Sequence, residues 1–360
     1  MTNEPAFAGV ATARYRDRFA PGEVDSRQYG SSIVSDFWII FMSRLLLPSI
    51  VLLSHLLPVA AGDDETVTIQ RPFLWEFWRA DSEATSYLFG TIHVNDPNIT
   101  RLHPKVNAAF ESSTAAWFEI DFAEDRAAQT EAISLPQDER LEDHVSADTL
   151  ARIDRRLMKL SPLLSRTALP EFRVVMWPIV LANLKAQVRH LGTLPMDMQL
   201  QMAARAANMK TGGLEDAENQ LRKLTDLPME KQIAFLEAFL DVMDSDDAAG
   251  LNQMEILIKL YAAGDGDDLQ KHLERELQRP QVSDDLQKLF VDVLLIERND
   301  NMVKAIELKI SAAPDDVHFV AVGTAHLLGK QSVIEGLRES GFTVRRVTID
   351  NESSADSDQK

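Results

Sequence analysis

The sequence predicts an α+β protein, with terminal strands forming a central mixed sheet and a large helical insert in the middle. Three observations carry this. Short apolar runs rich in β-branched and aromatic residues cluster before residue 122 and after residue 316. Between about 146 and 310 nearly everything has helical spacing. Two of the strand-like runs, far apart in the chain, close on the same pattern: Gly90-Thr91-Ile92-His93 and Gly323-Thr324-Ala325-His326.

Composition sets the outer limits. The chain has 360 residues, 45% of them hydrophobic, ample for one large core or two modest ones. Its formal net charge is -19, and residues 1–61 hold five Arg against five Asp or Glu, so the remainder carries all of it. An acidic body argues against nucleic-acid binding, which leaves a basic footprint, and fits a self-repelling soluble globule. The sequence has no cysteine. Disulfides, thiolate metal sites and cysteine nucleophiles are excluded, although this does not locate the protein.

Residues 1–33 are polar and show no clear period. Phe37 to Ala61 is strongly apolar. Within it, Met42-Ser43-Arg44 is a short basic start, Leu45 to Pro58 an apolar core, and Val59-Ala60-Ala61 a small-residue exit before acidic Gly62-Asp63-Asp64-Glu65. That order predicts a signal peptide over 42–61, cleaved after Ala61. Residues 1–41 then read as an extension upstream of a start at Met42. The rival reading is a membrane anchor over 37–58, weakened by Pro48, Ser54, His55 and Pro58. The expectation is an exported protein, periplasmic or secreted, touching a membrane only through this segment if it stays uncleaved. One folded domain is expected over 62–349, and a polar, disordered tail over 350–360.

Phe73 to Arg79 alternates and is aromatic, Asp81-Ser82-Glu83 reads as a turn, and Ser86 to His93 returns, so the pair predicts a hairpin. Pro104 to Ser112 has helical spacing, with Pro104 suited to the first turn. Ala115 to Asp121 is the next strand, and alternation places Glu119 and Asp121 on one face. Ser146 and Ser161-Pro162 open helices. Trp177-Pro178 kinks or restarts one. Asp197 to Asn208 is a helix whose methionines read as core filler. Gly212-Gly213-Leu214-Glu215 is a turn or short strand, with helices from Ala217 and from Pro228 to Met243. Asp244 to Asp247 and Gly264 to Asp268 read as solvated acidic loops, since neither has the full spacing of a calcium-binding EF-hand. A long helix runs from Ser283 to Leu308. Strand 317–323, helix 327–340, a stop at Gly341 and strand Phe342 to Val347 close the fold.

The repeated Gly-Thr-x-His carries the chemistry. Glycine at a strand end allows close approach by another group, and the His falls just past the strand, where α/β-type sheets place ligands. Imidazole is both the commonest metal ligand and the usual acid/base near neutral pH. A single Gly-x-x-His more often marks a satisfied half-buried histidine. The repetition predicts that the two meet and build one site. No phosphate loop, His-Glu-x-x-His or Gly-x-Ser-x-Gly is present.

The sequence resembles the TraB/GumN family, which includes the Tiki proteins and is more distantly similar to erythromycin-esterase-like and ChaN-like folds. The resemblance rests on Tyr87 to His93 with Asp96, Glu119, Trp177, Asp197 with Leu200, Leu214-Glu215 with Gln220, Glu297-Arg298-Asn299, and Val320 to Leu327 with Gly329. These span about 73–348. Leu328 departs from the Pro expected before that glycine. The resemblance implies a mixed α/β core in which both Gly-x-x-His motifs and a strand-borne Glu form one site. In the Tiki branch that site is proposed to be a metal-dependent peptidase. The TraB branch is associated with shutting down a peptide pheromone, and GumN takes its name from a polysaccharide gene cluster.

On this basis His93, Glu119 and His326 are the expected ligands of a divalent metal (Mn, Co, Zn or Fe), with Glu119 alternatively the general base. Arg298 is either an oxyanion or substrate-carboxylate binder, or a brace paired with Glu119 or Glu215. Asp96 and Asp121 are further ligands or groups that orient the imidazoles; Gly90, Glu215, Asn299 and Gly323 support the site. The expected partner is a peptide or other small polar substrate, not nucleic acid. The alternatives are a metal-free esterase-like hydrolase and a non-enzymatic peptide- or saccharide-binding protein. His103, His144, His190, His272 and His318 read as structural or surface residues.

Overall fold

Strands β1 (Leu74–Arg79) and β2 (Ser86–Thr91) form the expected antiparallel hairpin, Leu74 opposite Phe89 and Phe77 opposite Ser86. This computed structural model describes residues 68–349 apart from 123–125, 163 and 191–192. The expected signal peptide or anchor, the extension before it and the terminal tail lie outside the described residues. After β2 come two helices, α1 (Pro97–Thr100) and α2 (Pro104–Glu111). Asp96 caps α1 by accepting from the Asn98 amide at 2.9 Å. In α2, Val106, Ala109 and Phe110 share a buried face at helical spacing.

Strand β3 (Ala115–Phe118) follows, then α3 (Arg126–Ile133), α4 (Ala147–Leu160), α5 (Trp177–Arg189) and α6 (Met196–Ala206). Helix α5 does start afresh at Trp177. The short β4 (Lys210–Gly213) interrupts the insert, and α7 (Ala217–Thr225), α8 (Met229–Ala249), α9 (Gln253–Ala263), α10 (Gly266–Leu277) and α11 (Asp284–Leu289) follow. A π-helical segment, Phe290–Ile296, joins α11 to α12 (Glu297–Ala312). Strand β5 (His318–Gly323), a 3-10 turn (Thr324–Leu327), α13 (Val333–Glu339) and β6 (Phe342–Arg346) complete the chain.

The six strands form one mixed sheet in the order β4-β3-β5-β2-β1-β6. The pairs β2 with β5, β5 with β3, and β3 with β4 are parallel. Four neighbouring strands therefore end on the same edge of the sheet, which is where open α/β sheets bind ligands. The register sets Thr91 beside Gly323 and Gly90 beside Val322, so the two Gly-Thr-x-His motifs lie next to each other.

Two apolar cores result. One surrounds the sheet and includes Phe89, Phe110, Phe319 and Val320 with Met196, Tyr261 and Met302 from the insert. The other is helical, gathering Ile153, Leu157, Phe172, Trp177, Leu236 and Leu240. The acidic stretches serve these helices. Asp244 and Asp247 lie inside α8 rather than in a loop, and they bind Arg152, Arg156 and Lys159 of α4. Gly264 ends α9 in the left-handed region, and Asp265 caps α10 by accepting from the Asp267 and Asp268 amides. The expected long helix from 283 is broken by the π segment.

Tyr261 ties the insert to the sheet. Its hydroxyl, buried in the core, donates to the Gly90 carbonyl at 2.8 Å. Tyr261→Phe keeps the ring's stacking on Phe73 but removes that donor. We expect a loss of about 1–2 kcal/mol in urea-unfolding stability, and an unchanged midpoint would show that the bond carries no weight.

Candidate active site

Gly90 allows the two motifs to touch. A Cβ there would lie 2.8 Å from the Thr324 hydroxyl oxygen and 2.9 Å from the Phe73 Cβ. The Thr324 hydroxyl donates to the Thr91 carbonyl at 2.8 Å, locking one Gly-Thr to the other. The chain beyond β2 then turns so that Ile92 and Val94 are buried while His93 is half-exposed. Beyond β5 the 3-10 turn buries His326, whose side chain is 5% exposed.

Glu119 lies between them. Strand β3 ends at Phe118, one residue short of Glu119, so strand alternation does not pair Glu119 with Asp121. Its Oε2 is 3.9 Å from Nε2 of His93 and 3.9 Å from Nε2 of His326. The same oxygen accepts from the Gly323 amide at 3.1 Å. Oε1 accepts from Gln220 at 3.0 Å and pairs with Arg298. Arg298 also reaches Glu215 Oε2 at 2.7 Å. Arg298 is thus a buried brace between two carboxylates that follow β3 and β4.

The outer nitrogens of both imidazoles are held. Asp197 Oδ2 lies 3.1 Å from His93 Nδ1. Asn299 Oδ1 lies 2.6 Å from His326 Nδ1, while the Asn299 amide nitrogen donates to the Gln331 carbonyl at 2.7 Å. Asn299 therefore accepts from the imidazole, and Asp197 can only accept. In the neutral rings the lone pairs then sit on Nε2, the atoms nearest Glu119.

The electrostatics follow from burial and charge. Burial alone would raise the Glu119 pKa, but Arg298 and the two histidines outweigh it and hold the carboxyl well below its usual range. At His93 the ring's partial loss of water is outweighed by the charge and hydrogen bond of Asp197, helped by Glu119, and the pKa is pushed up to about 9. At His326 burial wins over Glu119, with Arg298 and His93 adding to it, and the pKa falls to about 4. Burial raises Glu215 in spite of Arg298.

In donor type the set suits a divalent metal: two imidazoles and an ionised carboxylate oxygen, with the opposite ring nitrogens fixed, His93 giving up its proton on binding. The 3.9 Å separations are too long for hydrogen bonds. Among the described residues no group of three or more His, Asp or Glu is placed so that it could hold a metal ion. The fit is therefore one of donor type and not of metal–ligand geometry.

The remaining expected residues lie around or away from this point. Gly323 sits against it: a Cβ would be 3.3 Å from Glu119 Oε2 and 3.6 Å from His93 Nε2. Asp121 pairs with Arg205. Asp96 caps α1 and lies 3.7 Å from His190. His318 is engaged at both nitrogens, by Trp117 at 2.8 Å and the Ala313 carbonyl at 2.9 Å. Asp197 and Gln220 were visible only as part of the family pattern, without a role. Asp197 sits in a methionine-rich helix that reads as plain core packing.

The profile of the TraB/PrgY/gumN family matches residues 73–346. The chain belongs to this family. It is 24% identical over 331 residues to Metalloprotease TIKI2 of Xenopus tropicalis, covering 81% of this chain and 63% of that protein. To Metalloprotease TIKI1 of Homo sapiens it is 25% identical over 311 residues, covering 76% of this chain and 61% of that protein. Uncharacterized protein YbaP of Escherichia coli (strain K12) is 26% identical over 257 residues, covering 70% and 87%. The chain spans less than two thirds of the TIKI1 and TIKI2 metalloproteases it matches. No solved structure matches it. Among the described residues no helix is long and apolar enough to cross a membrane.

The brace makes a sharp demand. Arg298→Met would leave Glu119 and Glu215 buried without their cation, and we expect a cost of about 3–5 kcal/mol in urea unfolding. A loss below about 1 kcal/mol would show that the carboxylates find other partners.

Proposed function

We propose that this protein is an exported metal-dependent hydrolase that cleaves peptides. One observation carries the proposal: Nε2 of His93, Nε2 of His326 and Oε2 of Glu119 meet at the ends of three adjacent parallel strands, with both Nδ1 atoms held from behind. The relatives named metalloproteases support it. Export rests on the apolar segment and small-residue exit over 42–61.

In this reading His93, His326 and Glu119 hold the metal. A divalent ion there lowers the pKa of water and polarises a scissile carbonyl. Glu119 acts as a ligand rather than a general base. Its oxygens are engaged by Arg298, Gln220 and Gly323, and its low pKa makes it a weak proton acceptor. Arg298 is spent on Glu119 and Glu215, so it keeps Glu119 ionised and oriented rather than binding substrate. Gly323 keeps the space beside the donors open for a substrate backbone.

The test is metal content by plasma mass spectrometry on protein stripped and then reloaded separately with Mn, Co and Zn, followed by a peptide-library screen. We expect near-stoichiometric metal in the parent, lost in both His93→Ala and His326→Ala, and chelator-sensitive cleavage. Turnover that survives chelation would point instead to a metal-free hydrolase. A folded parent that retains no metal and cleaves nothing would leave a binding protein.

A further inference from the structure

The carboxylates around the site are satisfied unequally. Both oxygens of Glu119 have partners. Asp197, with a side chain 9% exposed, meets His93 Nδ1 through Oδ2, while its Oδ1 is buried and has no hydrogen-bond partner among the described residues. A carboxylate oxygen shut away from water without a donor costs free energy.

The two imidazoles also differ in what holds them. His326 is buried in a 3-10 turn, and a neutral amide from Asn299 meets its Nδ1. His93 is half-exposed on an irregular segment after β2. Burial of Ile92 and Val94 fixes the backbone there but leaves the ring free to turn. Asp197 supplies the missing restraint from a rigid base. It stands in the first turn of α6, where an acidic side chain suits the helix dipole. Its neighbours Met196, Met198 and Leu200 are buried, and α6 packs on β3 and β4.

We propose that Asp197 is a positioning residue for His93: it fixes the ring's orientation and tautomer so that Nε2 presents its lone pair beside Glu119. This rests on the metal-binding reading of the site. A carboxylate behind a ligating imidazole also makes that imidazole the stronger donor. His93 is then the ligand whose strength is set by charge, and His326 the one set by burial.

The test compares the parent protein with Asp197→Ala and Asp197→Asn. Affinity for Mn, Co and Zn is measured by competition with a chromophoric chelator, and each metal-free protein is melted. Asp197→Ala is expected to weaken the metal about 10- to 100-fold. Asp197→Asn keeps an acceptor oxygen but loses the charge, so it should fall in between. The metal-free melting temperature of Asp197→Ala should change little, because the lost contact with His93 is offset by removal of a buried oxygen that has no partner among the described residues. If both variants bind metal as the parent does, the positioning role is overturned while the metal site stands. If both lose metal in step with a lower metal-free melting temperature, Asp197 is a structural residue and the proposal fails. If the parent binds none of the three metals, the metal-binding reading fails and the proposal with it.

Discussion

The ionised, buried carboxylate of Glu119 is the constraint the rest of the structure answers to. A lone carboxylate at that depth would protonate or pull water in. Here Arg298, Gln220 and the Gly323 amide converge on it. Arg298 is in turn too buried to stand without a second anion, and Glu215 provides one. Each group is present because the previous one would otherwise be unpaired. Such a chain contributes little net stability, yet it fixes a negative oxygen at one place beside two imidazoles.

The sheet makes that place available. Parallel strands deliver their following residues to one edge, so His93, His326, Glu119 and Glu215 arrive together although they are scattered from position 93 to position 326. Glycine matters at two positions, by outright collision at Gly90 and by close approach at Gly323. At Gly90 a side chain would collide with Thr324 and Phe73, separating β2 from the turn after β5. At Gly323 a side chain would crowd Glu119 and His93. The Thr324 bond to the Thr91 carbonyl then explains why the motif reads Gly-Thr rather than Gly alone on the β5 side.

Much of this was legible in the residues. The hairpin, the terminal strands and the pairing of the two motifs follow from apolar runs that end in Gly-Thr-x-His. The insert was legible as helix but not as two packing units, because the same amphipathic spacing serves a helix on the sheet and a helix in the second core. The acidic stretch at Asp244 looked like a loop because its partners, Arg152 and Arg156, lie some 90 residues away in sequence. Glu119 and Asp121 looked like a pair because alternation holds only while a strand continues, and β3 ends first. Arg298 was left open between binder and brace, since only the distances to Glu119 and Glu215 decide it.

The division of labour between sheet and insert goes further. The donor atoms come from the sheet's edge, but the groups that orient them come from the insert: Asp197 on α6, Gln220 on α7, Arg298 and Asn299 on α12. Arg298 and Asn299 are consecutive, about 100° apart around a helix, yet one turns to Glu119 and Glu215 while the other turns to His326. Helix α12 therefore has to be wedged between the ends of β3 and β4 on one side and the turn after β5 on the other. The π-helical segment immediately before it, where the Glu297 amide bonds back to the Asp292 carbonyl, rotates α12 relative to α11 through wider turns. A uniform helix from 284 onward would fix the phase of Arg298 and Asn299 by the packing of α11. The π segment shifts that phase by its wider turn. The orientation of His93, Glu119 and His326 is therefore set from the insert, by residues far in sequence from the strand ends.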